Sequence, residues 1–286
     1  MSIPTGASAT LEAFNQFVSG VEGKLTGFKQ TQTDLSKGAG TTVHQNMDQI
    51  LYVDPTAGND SNDARSWFMA AATIEGAVSK VPVGGFAAIY LKAGVTHRMT
   101  QQVDLENRSI LLAASTYDYY VDSTYIPIES VMYVVEDGEV QAGGFKMGRR
   151  SFLRVVGCKL ITGKYTAAQA SLIKNDWQSS FISSFGSKGT VFLEHCQIVL
   201  NNGQFTHQHT GGSIGTVDLY MRNVDIVVTA VSALVVTARS PYLIGQYAGD
   251  AMPFFAYGIE MSKASGVTWA SLIYATTTYA TTNLKD

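Results

Sequence analysis

The sequence predicts a mainly β protein: a parallel β-solenoid closed at its start by one short helix and preceded by an α-helical segment. Three observations predict it. Three eight-residue segments, starting at Leu153, Val191 and Leu219, align without gaps and keep their apolar residues in the same columns. Ahead of them, between Leu51 and Ser115, a strand, a turn and a single helix give way to short apolar strands only. Near the N-terminus, apolar residues recur with alternating steps of three and four, the spacing of a helical seam.

Residues 1–46 form the first region. Leu11, Phe14, Val18, Val21, Leu25 and Phe28 fall on a and d positions over about three heptads, with Gln32 and Leu35 next in the series. Such a stripe serves either a self-associating coiled coil or a helix docked on its own domain. Gly20, Gly23 and Gly27 would each weaken a free helix by about 1 kcal/mol relative to Ala. Lys37 to Asn46, rich in Gly, Thr, Gln and Asn, reads as a flexible connection.

Residues 47–115 form the second region, a cap and first rungs. Tyr52 and Val53 are β-prone, and the Asp54-Pro55-Thr56-Ala57-Gly58-Asn59-Asp60 cluster is turn chemistry. Ile74, Ala77, Val78 and Val81 share one helical face, and Pro82 stops the helix. Ala88–Leu91, Val103–Leu105 and Ser109–Ala113 read as strands. An open solenoid end is an exposed sheet edge, so one helix ahead of many strands suits a lid. Asp54, Asn59, Asp60, Asn62 and Asp63 also suggest a calcium loop, but Gly58 precedes the oxygen ligands where an EF-hand places it among them; turn formation alone accounts for them.

This order resembles the opening of the pectate-lyase-like right-handed β-helices of bacteriophage tail fibres and tailspikes. There a Tyr-Val-Asp turn, a Gly-x-Asp segment, a Thr-Ile-x-x-Ala-Val helix and a strand ending in an Ala-Gly turn form the cap; here these are Tyr52-Val53-Asp54, Gly58-Asn59-Asp60, Thr73 to Val78 and Ala87 to Gly94. The resemblance covers about a quarter of the chain. It implies a right-handed parallel β-helix, a homotrimer registered by the N-terminal helix, and a virion protein made in the host cytoplasm. Its implied partners are other virion proteins at the N-terminus and a host cell-surface polysaccharide or protein.

Residues 116–286 form the third region. In the repeat, Leu153, Val191 and Leu219 coincide, then Val155, Leu193 and Met221, then Cys158, Cys196 and Val224, then Leu160, Ile198 and Ile226. Alternation kept in phase across copies marks stacked rungs around a continuous core. Two residues separate the second and third columns, Val156-Gly157, Glu194-His195 and Arg222-Asn223, where a corner with unusual φ would turn the chain. Cys158 and Cys196 then lie in one inward column as small hydrophobes, and neither a disulfide framework nor a Cys196-His195 catalytic pair follows, since neighbours on a strand face opposite sides.

Candidate binding residues are aromatic. Tyr117, Tyr119, Tyr120 and Tyr125 crowd a stretch that reads as a loop or protruding strand, and Trp177 lies in the Gly163–Lys188 insertion among Ser, Gln and Asn. Such side chains suit a sugar, a protein surface or a neighbouring subunit. The insertion reads equally as a helical flap or subunit contact. His207-Gln208-His209, placed in a loop, puts two imidazoles on one side; a threefold axis would gather six around a transition metal, while a plain surface loop explains them as well. No other cofactor is indicated.

Composition narrows the function. Of 286 residues 45% are apolar and only 15% charged, which leaves a surface of Ser, Thr, Gln and Asn suited to a large assembly. A net charge of −3 and the lack of a basic run argue against nucleic acid. Neither a membrane-spanning apolar stretch nor a secretory signal is visible. Glycosidases need two carboxylates facing one groove. The outward columns Arg154/Phe192/Tyr220 and Lys159/Gln197/Asp225 hold no such pair, and Glu136, Asp137 and Glu139 read as a hairpin turn around Gly138. The sequence therefore leans to a non-enzymatic fibre or spike subunit, with a depolymerase of the same fold and an adaptor holding another fibre protein as alternatives.

Overall fold

A computed structural model of the chain describes residues 48–114, 125–185, 189–209, 217–228, 243–247, 254–262 and 272–274. The heptad residues Leu11 to Phe28 and the tyrosines Tyr117, Tyr119 and Tyr120 lie outside the described residues. The rest is mainly β, 53% strand against 9% helix.

After β1 (Asp48–Val53), the chain makes successive passes through the same three directions. The first pass is β2 (Phe86–Leu91), β3 (His97–Met99) and β4 (Gln102–Asp104). The second is β5 (Ser109–Ala114), β6 (Ile126–Ser130), an inserted hairpin of β7 (Met132–Val134) and β8 (Val140–Ala142), then β9 (Gly144–Met147). The third is β10 (Ser151–Val156), β11 (Cys158–Ile161), a helix Ala167–Leu172, a 3-10 turn Asp176–Ser179 and β12 (Ser180–Phe185). The fourth is β13 (Gly189–Leu200) with β14 (Gln204–His209), the fifth β15 (Val217–Val228) with β16 (Ile244–Tyr247), and the sixth β17 (Phe254–Ser262) with β18 (Ile273–Tyr274).

Every pairing between passes is parallel and connects strands of consecutive passes; the β7–β8 hairpin is antiparallel. The result is a large, strongly curled parallel sheet compatible with a β-solenoid, facing a second parallel ladder. Register follows the columns read from the sequence: Val155 pairs with Leu193 and Leu193 with Met221, Leu160 with Ile198 and Ile198 with Ile226. All are buried, as are Cys158 and Cys196. Phe145, Phe181 and Phe205 carry the core through the other ladder, with centroids about 6 Å apart.

The predicted corner exists. Gly157, His195 and Asn223 take φ of 69°, 49° and 52°, so the third, fourth and fifth passes each turn at a left-handed residue between the two halves of the curled sheet. Side chains with a Cβ strain there by about 1–2 kcal/mol, and Asn tolerates it best.

The cap is built around Asp60. Its carboxylate accepts the backbone N–H of Ala72 and Thr73 and the Thr73 hydroxyl, and Thr73 Oγ1 in turn accepts Gly76 N–H as the N-cap of helix Ile74–Val78. A Cβ at Gly76 would land on the Asp60 carboxylate, and one at Gly58 on the carbonyls of Asp54 and Ala71, so both glycines are dictated by close approach. Asp54 accepts Thr56 and Ala57 N–H and pairs with Lys92 at 2.6 Å. These oxygens are spent on the turn, as the turn reading expected. The helix is shorter than predicted: it ends at Val78, and Val81 instead closes a turn through Val81 N–H to Val78 O.

One further expectation needs correction. His207-Gln208-His209 belongs to strand β14, not a loop, because Phe205 upstream packs in the core and pulls the segment into register with β12. The long step between Cys158 and Cys196, by contrast, is one pass with a helical insertion, in keeping with one solenoid turn carrying a longer loop. The acidic hairpin forms as predicted, with Gly138 at φ 81° and Val135 N–H bonded to Glu139 O at 2.9 Å.

Candidate binding surface

In parallel strands paired in register, an outward position repeats on each pass. One outward column of the curled sheet runs Ile50, Ala88, Leu111, Arg154, Phe192, Tyr220. It is apolar at the start, where Ile50 is 55% exposed; Trp67, packed at 4.8 Å on Tyr52 of the same strand, and Phe68, 92% exposed, add apolar surface. Further along it becomes aromatic and cationic. Phe192 and Tyr220 stack at 6.0 Å, and the Arg154 guanidinium carbon sits 5.7 Å from the Phe192 ring centre, a cation–π contact.

Glu194 fixes this arrangement from the neighbouring column. Its carboxylate, nearly buried, receives Arg154 Nη2 at 2.5 Å on one oxygen and Arg222 Nη1 at 3.4 Å on the other. Burying a carboxylate is tolerable only with such partners. Arg154 is thereby held over Phe192 instead of sweeping through solvent.

Beside this face, where the chain enters β10, lies an open groove of about 470 Å³ lined by Arg149, Arg150, Ser151, Phe152, Gly189 and Thr190. Arg150 has φ 53°, and the Arg149 carbonyl accepts Asn107 N–H at 2.8 Å, which pins the corner to the preceding pass.

The predicted site residues fall elsewhere. Tyr125 is half-buried, its hydroxyl donating to Asp225 Oδ2 at 3.2 Å, which commits it to contact within the chain. Trp177 lies half-buried in the 3-10 turn, its carbonyl accepting the Ser180 hydroxyl at 2.6 Å. Its insertion is a helical flap clamped to the β7–β8 hairpin: Gln178 Oε1 accepts Lys174 and Asn175 N–H, Gln178 Nε2 donates to Glu139, and Lys174 Nζ pairs with Glu139 Oε1 at 2.7 Å. His207 is buried, with Nδ1 2.9 Å from Gln204 Oε1, which places the ring proton on Nδ1 toward that carboxamide oxygen. The His209 side chain lies outside the described residues.

Several acids of the described residues are paired with cations. Asp104 pairs with Lys146 at 3.3 Å, Glu129 with Arg98 at 3.4 Å, and Glu194 with two arginines. Among the described residues no group of three His, Cys, Asp or Glu is placed to hold a metal. What the surface offers is flat aromatic area, guanidinium and hydroxyl: equipment for binding.

Comparison with family models, with curated proteins and with solved structures found no match. The residues themselves therefore carry the functional argument.

Reading the outward columns only for paired acids missed the Arg154-Phe192-Tyr220 ladder. The signal was present: once the repeat is aligned, two aromatics and an arginine share a column. Nothing in the sequence flagged Arg149 and Arg150, because their convergence depends on a corner between ladders.

Proposed function

We propose that the chain is a structural subunit of a bacteriophage virion, a tail-fibre or tailspike protein. Its passes form a right-handed parallel β-helix; residues 1–46 provide a helical, trimeric coiled-coil anchor to other virion proteins; and the β-helix contacts the host surface during adsorption. The observation that carries this reading is the outward column that begins apolar and exposed at Ile50 and ends in the Arg154-Phe192-Tyr220 ladder. The exposed apolar residues Ile50, Trp67 and Phe68 suit contact with another copy of the chain, as exposed apolar surface does. The aromatic and cationic end suits a glycan or protein receptor. The pairing of Asp104, Glu129 and Glu194 with cations favours binding over acid–base hydrolysis.

Gold-labelled antibody against the chain, applied to particles of the phage that encodes it, is expected to decorate an external appendage. Unlabelled particles, with the protein confined to the infected cell, contradict the reading.

A further inference from the structure

The groove at the entry to β10 has an arginine where the fold repeatedly uses a left-handed corner residue: the equivalent positions on the earlier passes are Gly84 and Asn107, at φ 84° and 52°. Arg149 and Arg150, the two turn residues immediately before β10, are both exposed and both line the groove. The left-handed conformation of Arg150 accompanies this. At the equivalent entry one pass earlier, the left-handed residue is Asn107 at φ 52°, a residue type that accepts that conformation through its short polar side chain. Arginine has no such advantage, and strain kept at a cleft is a pointer to use.

The surroundings are chemically specific. Neither guanidinium is paired with a carboxylate among the described residues, and no carboxylate lines the groove. Ser151 and Thr190 stand on adjacent passes at its wall, and half-buried Phe152 pairs in register with Thr190 and Ser109. Two arginines lining one groove bring two positive charges and many N–H donors to it. A carboxylate, with one charge and two oxygens, needs only one fork; a phosphate monoester carries close to two charges and three acceptor oxygens and matches both, which a phosphodiester, with one charge and two free oxygens, does not.

We infer that Arg149, Arg150, Ser151, Phe152 and Thr190 form a binding site for a phosphorylated sugar of a cell-surface polymer, the two arginines holding the phosphate and Phe152 meeting the sugar ring. This rests on the proposed role in host contact and names the class of ligand. The site lies between ladders, apart from the Arg154-Phe192-Tyr220 column.

The test is equilibrium binding of the full chain to phosphorylated mannan, with dextran, polygalacturonate and inorganic phosphate as the other probes. Phosphomannan is expected to bind, with inorganic phosphate displacing it and dextran giving no signal. Affinity should fall by about tenfold in R149Q and in R150N, the loss of one charge-assisted contact. R150N should keep or raise the melting temperature, because Asn suits a left-handed φ, so its lost binding cannot be ascribed to misfolding. F152A should weaken phosphomannan while leaving inorganic phosphate unchanged. Absence of phosphomannan binding, binding unchanged in R149Q and R150N, or polygalacturonate binding as tightly as phosphomannan would each overturn the assignment. A protein that decorates virions yet ignores phosphomannan overturns the site alone; a protein absent from virions overturns the underlying role.

Discussion

Asn223 stands one pass beyond His195 at the same corner, and its Nδ2 lies 3.4 Å from His195 Nε2. Both residues are left-handed, and both Glu194↔Arg222 before them and Cys196↔Val224 after them are paired in register. The corner is therefore where backbone strain is concentrated and where side chains stack along the protein. His195→Val should lower stability by about 1–2 kcal/mol, since a β-branched residue is poorly accommodated at positive φ, whereas His195→Gly should be close to neutral. Denaturant midpoints of the two variants check this; equal losses would show that the ring contact matters and the φ does not.

The cap should fail through Asp60. Asp60→Ala removes three hydrogen bonds to one carboxylate and releases the N-cap Thr73, a loss of about 2–4 kcal/mol given the worth of charge-assisted bonds. Gly76→Ala should be similarly harmful because its Cβ meets the same carboxylate, while Gly138→Ala, with open space around it and φ 81°, should cost about 1 kcal/mol. Thermal unfolding followed by light scattering should show Asp60→Ala and Gly76→Ala aggregating earlier, as expected once β1 loses its cover.

The helical flap should be held by charge within a defined pH window. Hydrogen bonds from Lys174 and Gln178 lower the Glu139 carboxyl below its ordinary 4.5, and Glu139 raises Lys174 above its ordinary 10.5, helped by Asp137. A lowered acid stabilises the fold above its unfolded value and loses that contribution as pH falls through the folded value. A raised lysine does the reverse at the alkaline end. The clasp is thus complete between about pH 5 and pH 10 and is lost beyond both shifted values. Hydrogen-exchange protection factors across the flap, with the intrinsic pH dependence of exchange divided out, should fall as pH drops below the ordinary carboxylate value of 4.5 in the wild type and stay level over that range in Glu139→Gln. Glu75, pushed up by burial, titrates in the opposite sense, so global stability is a poorer readout than local exchange.

Burial pushes the Cys196 thiol up to about 12 and the Cys158 thiol well above its ordinary range, with each other's proximity adding to the latter. Neither should react with a thiol reagent at pH 8 in the native protein, and both should react after denaturation. Cys196→Ser should cost about 1–3 kcal/mol by placing a hydroxyl in an apolar column. Cys196→Val should be tolerated better, as Val224 fills that position one pass on.

What the sequence revealed and what it hid divide along one line. The curled sheet was legible because β10, β13 and β15 repeat in length and phase, so Leu153, Val191 and Leu219 could be superimposed by eye. The other ladder was not, because its strands follow insertions of unequal size: Phe145, Phe181 and Phe205 stack in space but share no spacing along the chain. The corner was legible from Gly157 and Asn223, residue types with a backbone reason to be there; His195 carried no such mark. Binding residues were sought in tyrosine-rich loops, and the aromatic ladder was overlooked because strand residues facing outward look like any alternating strand until their register is known.

The most direct test of the account is the mass of the purified protein in solution, for the full chain and for a version starting at His44. A particle of three 30.8 kDa chains that falls to single chains on losing the first 43 residues is the predicted result. A single chain in both forms would contradict the trimeric anchor and with it the virion-fibre reading.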